Sequence, residues 1–291
     1  MSTSKVKAQK TWLITGSSSG LGLNLAFAAL RAGHRVLGTT RSVRVARERA
    51  PEYERRGGIW IELDPGRLDS ESRFRDIEKV YGEVDVLVNN AGYAFIGAVE
   101  DTTEEEVVAQ LNVNFLAPLR AARAVLPSMR RRRTGHVVLV SSAAGIIARE
   151  GRATYSASKF AAEAAHEALS REVAPFGIKV LIVQPGAFAT GFMHTIRTPG
   201  RFEHAGGFSD GYKGTDLETM VRISRILLRG DPEKAADRIL DAVENGHEYL
   251  RLMLGPDCLA AYDLKMGELA RDFELTKDIA ASTDLDEFKG R

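Results

Sequence analysis

Cysteine is almost missing from this chain: Cys258 stands alone among 291 residues. No internal disulfide can form, so a reducing compartment, the cytoplasm, is the expected location. An excess of one charge is missing too. With 40 Lys and Arg against 39 Asp and Glu the net charge is +1, which points to neither a nucleic-acid partner nor an acidic membrane surface. No apolar run approaches the ~20 residues of a membrane-spanning helix, and the opening MSTSKVKAQK lacks the apolar centre of a signal peptide. The 6 histidines are scattered, so no metal site is expected, and His166 reads as a packing or surface group. The one dense charge run, residues 130–133, reads as a helix end, where cations suit the negative dipole.

What the chain has is 44% hydrophobic and 27% charged residues, enough core for one large domain over residues 1–291. Short β-like runs alternate with helical patterns. TWLITG, HRVLGTTR, GIWIELD, VDVLVNNAG, GHVVLVSS and IKVLIVQPG are nearly all apolar, as expected for parallel strands covered on both faces. The intervening helices make the repeating unit βαβ. The fold class expected is therefore α/β, a doubly wound and mostly parallel sheet with helices on both faces. A late run, EYLRLMLG, is expected to close a sheet edge. Pro118 suits a first helical turn, whereas Pro127 lies deeper and should kink or shorten its helix. Residues 187–230 are glycine-rich with several aromatics and read as an insertion over the carboxyl edge of the sheet, where ligands of such sheets bind.

TGSSSGLG, residues 15–22, leaves the first strand and opens the first helix. A helix start offers unpaired N–H groups and the positive dipole end, which suits a pyrophosphate. Gly16 can make the tight turn, Gly20 lets backbone approach an anion, and Gly22 lets helix and strand pack closely. An ordinary tight turn is the competing reading. Further on, Tyr155 and Lys159 share one helix face at a spacing of four, thirteen residues after the pair Ser141-Ser142. An ammonium beside a phenol favours the phenolate and should lower its acidity constant from near 10.

These pieces together resemble the short-chain dehydrogenase/reductase family. The likeness rests on TGxxxGxG, on NNAG (89–92) ending the fourth strand, on Ser142 and Tyr155-x-x-x-Lys159, on PGAFAT (185–190), and on Asn114 in NVNFLAPL. It covers about residues 10–190 in order; the C-terminal hundred residues carry no shared signature. The resemblance implies a Rossmann-type fold and an oxidoreductase interconverting a carbonyl and an alcohol. It implies Asn114, Ser142, Tyr155 and Lys159 as the catalytic set. Tyr155 would be the general acid–base, Ser142 would polarise the carbonyl, Lys159 would also hold the nicotinamide ribose, and Asn114 would hold a relay water. Ser141 and Asn112 are the rivals that the family intervals reject. The dinucleotide would rest on Gly16, Ser18, Ser19, Gly20, Leu21, Gly22, Arg41, Asp64, Asn90, Ala91, Gly92, Tyr155, Lys159, Pro185, Gly186 and Thr190.

NADP(H) is expected over NAD(H). The second strand ends LGTTRS, with no carboxylate to repel a 2′-phosphate and with Arg41 able to pair with it; Thr40 or Ser42 could add a hydroxyl. The competing reading makes Arg41 a solvated loop residue, and Ser18 and Ser19 stand where many NADP-dependent relatives place Arg or Lys. Asp64 touches the adenine or initiates an Asp-Pro-Gly turn. Phe188, Phe192 and Met193, with Phe202, Phe208 and Tyr212, either line an apolar pocket or anchor the insertion. As lining they imply a bulky lipophilic substrate of the polyketide, aromatic ketone, steroid or retinoid kind; Val99 and Ile146 are further lining candidates. A homodimer or homotetramer through the alanine-rich helices near 115–130 and 153–174 is implied by the relatives. A dehydratase or epimerase on the same fold, and a non-catalytic nucleotide-binding regulator, are the alternative functions.

Overall fold

The computed structural model describes residues 8–223 and 229–285, so residues 224–228 of the expected insertion lie outside the described part. Seven strands form one sheet: β1 (Thr11–Ile14), β2 (Arg35–Thr40), β3 (Ile59–Glu62), β4 (Val86–Asn89), β5 (Gly135–Val140), β6 (Ile178–Pro185) and β7 (Arg251–Leu254). Their order is β3-β2-β1-β4-β5-β6-β7 and every pairing is parallel. The EYLRLMLG run closes the edge, as expected, and does so in the same direction as its neighbours.

Apolar strands sort their side chains to two layers by simple alternation. Trp12 and Ile14 enter one core with Val36, Val86, Val88, Val138, Val140 and Val183; Leu13, Leu37, Leu87, Val137 and Val180 enter the other. The first layer is covered by α1 (Gly20–Arg31) and α9 (Pro232–Asn245), the second by α4 (Ser70–Tyr81), α6 (Ala117–Arg132) and α7 (Ala153–Val173). Each fully buried Leu or Ile in these layers contributes about 1.5–3 kcal/mol. The short helices α2 (Val43–Arg49) and α3 (Glu52–Arg55) follow β2.

Helix α5 (Glu104–Leu111) runs into a π-helical segment, Asn112–Leu116, and then directly into α6. Pro118 takes the first turn of α6 as expected, but Pro127 does not shorten that helix, which continues to Arg132. The basic run ends it: Arg131 and Arg132 pair with Glu83 at 2.7 and 2.9 Å, and Arg132 with Asp85 at 2.5 Å. After β7 comes α10 (Pro256–Ala281), seated by buried Cys258 and Ala261 and exposed from Met266 onward. No described helix is long and apolar enough to cross a membrane. The strand order reverses between β1 and β4, which opens a crevice at their carboxyl ends.

Candidate active site

The crevice is floored by the glycine-rich turn. Gly16 and Gly20 adopt φ of 63° and 58°, a region closed to most L-residues. A Cβ on Gly16 would stand 2.9 Å from Ala91 Cα, and one on Gly22 would stand 2.3 Å from Asn90 Nδ2 and 2.9 Å from Gly16 O. The turn therefore packs straight onto the NNAG segment. Thr15 Oγ1 accepts from the Asn90 and Ala91 amides at 2.9 and 3.0 Å, and Asn90 Nδ2 donates to the Thr15 and Gly16 carbonyls at 2.9 and 3.1 Å. Ser19 is the N-cap of α1 and makes no side-chain cap. The first-turn N–H groups thus lack a capping oxygen, as an anion-binding helix start requires. Ser18 and Leu21 are half-buried beside it and Ser19 is exposed.

Arg41 is exposed at the end of β2 and makes no hydrogen bond or ion pair with another described residue. The two neighbouring hydroxyls are engaged: Thr40 Oγ1 donates to Ser42 O at 3.2 Å, and Ser42 Oγ caps α2 by accepting from Val45 N at 3.4 Å. Asp64 takes the turn role, its Oδ1 accepting from Gly66 N at 2.9 Å.

Three elements bring the four expected catalytic side chains together. Ser142 follows β5; its Oγ accepts from Ala144 N at 3.1 Å. Alternation turns Ser141 the other way, to donate to Glu163 at 2.6 Å. Tyr155 and Lys159 are both buried on α7, at 6% and 5% exposure. Asn114 is buried in the π-helical segment, donating to Tyr93 O and Ser158 Oγ at 3.0 Å each and accepting from Tyr93 N at 3.2 Å. A Cβ on Gly92 would lie 3.0 Å from Asn114 Oδ1 and 3.8 Å from Lys159 Nζ, so both approach one point. Asn112 faces elsewhere, donating to Gly66 O and accepting from Arg120.

The electrostatics differ from expectation. Lys159 Nζ donates to Val140 O at 2.9 Å and stands 5.9 Å from the Tyr155 ring centroid. Burial pushes the Tyr155 phenol up; a hydrogen bond from Ser142 and the charge of Arg152 pull it down. The charge that pulls the phenol down comes from the half-buried Arg152, three residues before it. Burial also pushes the Lys159 ammonium down to about 8, against the attraction of Glu163.

The insertion closes over this group. Residues 191–195 and 200–205 form 3-10 turns, and a third such turn precedes α8 (Asp216–Ile223). Arg197 pairs with the stretch after β4, its N donating to Ala94 O at 2.9 Å while Ile96 N donates to Arg197 O at 2.8 Å. The aromatics divide. Phe192 lies 6.4 Å from the Tyr155 ring and is 36% exposed. Phe188 is corrected from a lining to an anchoring residue: it packs against the sheet core and onto Gly230. Phe208 and Tyr212 likewise anchor, with Ile96 and Leu217. Met193 is half-buried on the Phe192 turn and Ile146 half-buried after Ser142, but Val99 is 74% exposed. Ile196, which no periodicity singles out, packs on Ala94, Ala144 and Tyr155. Thr190 comes back to the glycine turn, 3.4 Å from where a Cβ on Gly20 would be. Gly186 is pressed against Asp257, which also accepts from Ala187 N at 2.6 Å, and Pro185 ends β6 beside Leu254.

Comparison with known proteins agrees with this geometry. The model of the short chain dehydrogenase family matches residues 10–200. "Oxidoreductase claN" of Passalora fulva is 44% identical over 213 residues, 73% of this chain and 94% of that protein. A 3-ketodihydrosphingosine reductase of Bacteroides thetaiotaomicron is 37% identical over 247 residues, 84% of this chain and 87% of that one. The crystal structure of a short-chain dehydrogenase from Streptomyces avermitilis superposes with a TM-score of 0.83 at 36% identity, covering 98% of this chain and 100% of that chain.

Proposed function

This chain belongs to the short-chain dehydrogenase family, an oxidoreductase family, and from that premise we propose that it is an NADP(H)-dependent carbonyl reductase, reversible as an alcohol dehydrogenase. The observation that carries the proposal is the meeting of Ser142, Tyr155, Lys159 and Asn114 beside a glycine cradle into which side-chain carbons would not fit. The residues fit a dinucleotide. The uncapped start of α1 suits its pyrophosphate, Arg41 is free to pair with a 2′-phosphate, and Thr190, Pro185 and Gly186 border the same crevice. When bound, a nicotinamide dinucleotide supplies or accepts the hydride.

The chain's own residues handle the proton. A phenol pushed up by burial remains protonated through neutral pH, which suits Tyr155 as general acid toward a carbonyl oxygen. The Ser142 hydroxyl donates to the same oxygen and stabilises the charge that develops there. Lys159 orients the cofactor ribose and keeps a positive charge under the site. Asn114 holds the Tyr93 backbone and Ser158, and approaches the lysine where a relay water is needed.

Phe192, Ile196, Ala94 and Ala144 around Tyr155 support a lipophilic substrate. Leu116 and Phe160, exposed on the helices through which relatives associate, support a homo-oligomer, and the lone reduced Cys258 supports a cytoplasmic enzyme. The test is NADPH oxidation with a panel of bulky ketones. Tyr155→Phe should bind NADPH as the wild type does while turnover falls by about 10²–10⁴-fold. Undiminished turnover in that variant would end the proposal.

A further inference from the structure

Behind the catalytic face lies a buried carboxylate that the mechanism above does not use. Glu163 is 3% exposed and sits one helical turn after Lys159 on α7. Its Oε1 accepts from Ser141 Oγ at 2.6 Å and from Gln184 Nε2 at 2.9 Å; its Oε2 accepts from Gln184 Nε2 at 2.9 Å and from Arg251 Nε at 3.2 Å. Gln184 amide and Arg251 guanidinium nitrogens have only protons to offer, which favours an ionised acceptor, while burial pushes the carboxyl up. Arg251 reaches on to Glu167 at 2.6 Å, and Tyr262 of α10 donates to Gln184 Oε1. One carboxylate thus joins β5, α7, β6 and β7, with α10 held at second hand.

A buried charge persists only where it is paired and hydrogen-bonded. The groups facing Glu163 are Lys159 on its own helix, Ser141 on the β5 end, Gln184 on β6, Arg251 on β7, and Cys258 and Tyr262 on α10. Arg251 is shared between Glu163 and Glu167, Glu167 has Arg171 as well at 2.9 Å, and the buried Lys159 ammonium is the other cation near Glu163. Lys159 in turn faces Tyr155, the Val140 carbonyl and, across Gly92, Asn114. Arg251 and Tyr262 lie beyond residue 200, where the match to the family model ends.

We propose that Glu163 is a positioning residue for the reductase reaction: it locks the β5 end carrying Ser142 to the helix carrying Tyr155 and Lys159, balances the Lys159 ammonium, and is itself held by Arg251 and Gln184. This rests on the reductase reading for its kinetic test, but not for its spectroscopic one. Burial pushes Lys159 down and Glu163 opposes that, so removing the carboxylate charge makes the ammonium give up its proton at lower pH.

The experiment compares wild type and Glu163→Gln on a ketone that the wild type reduces, and follows the Lys159 ¹³Cε resonance of ¹³C-lysine protein across pH, assigned through Lys159→Arg. In Glu163→Gln, kcat should fall about 10–100-fold with little change in KM for NADPH. The alkaline limb of kcat and the ¹³Cε midpoint should both move down by about one pH unit. A folded Glu163→Gln with unmoved limb and midpoint overturns the proposal. If that variant does not fold, Glu163→Gln combined with Arg251→Gln leaves neither charge unpaired and takes its place; its Lys159 midpoint should move down as well, and an unmoved midpoint overturns the proposal. If the wild type reduces no ketone, the reductase reading has failed, and the Lys159 midpoint alone decides the role of Glu163.

Discussion

Adding a single methyl group at Gly22 tests the crevice most directly. In Gly22→Ala the new carbon would stand 2.3 Å from Asn90 Nδ2 and 2.9 Å from Gly16 O. The oxygen is backbone and cannot swing aside. The amide is tied to the Thr15 and Gly16 carbonyls at 2.9 and 3.1 Å, so relief breaks two hydrogen bonds. Each contributes about 0.5–1.5 kcal/mol in this half-buried place, and overpacking adds about 1–3 kcal/mol. Alanine's better helix propensity returns about 1 kcal/mol. The net loss is roughly 3 kcal/mol. At about 2.1 cal/mol/K of unfolding entropy per residue, a chain of this length should melt roughly 5 °C lower. Because the displaced groups form the cradle, NADPH affinity should also drop by about tenfold or more, some 1.4 kcal/mol. Calorimetry and NADPH fluorescence titration read the two effects. Gly267→Ala, where no atom lies within 4 Å of the new carbon, is the control and should show neither. A Gly22→Ala protein with wild-type melting temperature and wild-type NADPH affinity would refute the packing argument.

Two further outcomes are expected. Arg41→Ala should weaken NADPH binding by about 10–100-fold, the worth of a charge-assisted contact of about 1.5–3 kcal/mol, and leave NADH unaffected; equal loss of both, by titration, rules out the 2′-phosphate contact. His166 is fully buried, its Nδ1 2.8 Å from Ala162 O, and burial pushes it from 6.5 down to about 4. The unfolded chain therefore binds the extra proton first, and stability falls as pH drops from 6.5 toward 4, by up to roughly 3 kcal/mol. Urea midpoints measured against pH should show this slope, and His166→Gln should lessen it, leaving the part due to His136, which burial also pushes down to about 4; an identical slope in both proteins would discount the histidine.

Much of the architecture is legible along the chain because parallel strands are apolar throughout and the turns between them are chemically marked. Alternation sends Ser141 and Ser142 to opposite faces and the family interval picks Ser142, and Pro118 is legible by its place at a helix start. What escaped depends on contacts between distant residues. Phe188 and Phe192 look alike in the sequence; only the position of Gly230 against one ring and Tyr155 near the other tells anchor from lining. The direction of the Lys159 ammonium follows from a carbonyl nineteen residues away. Glu163 reads as one more charge on an amphipathic helix until Gln184 and Arg251 are brought to it. Pro127 was expected to disturb its helix, yet burial of Ala124, Val125, Ser128 and Met129 on either side carries that helix through.

The π-helical turn from Asn112 to Leu116 has a bearing on which length changes this enzyme can tolerate. It sets the residues before it out of phase with those after it, at about 100° of rotation for each residue of an ordinary helix. Deleting one amino acid there would regularise the pitch and swing the Asn114 amide away from Tyr93, leaving composition and hydrophobicity nearly unchanged. The irregularity is thus a phase-setter: homologues that keep the asparagine but lose the extra residue would carry the right letter aimed at the wrong place.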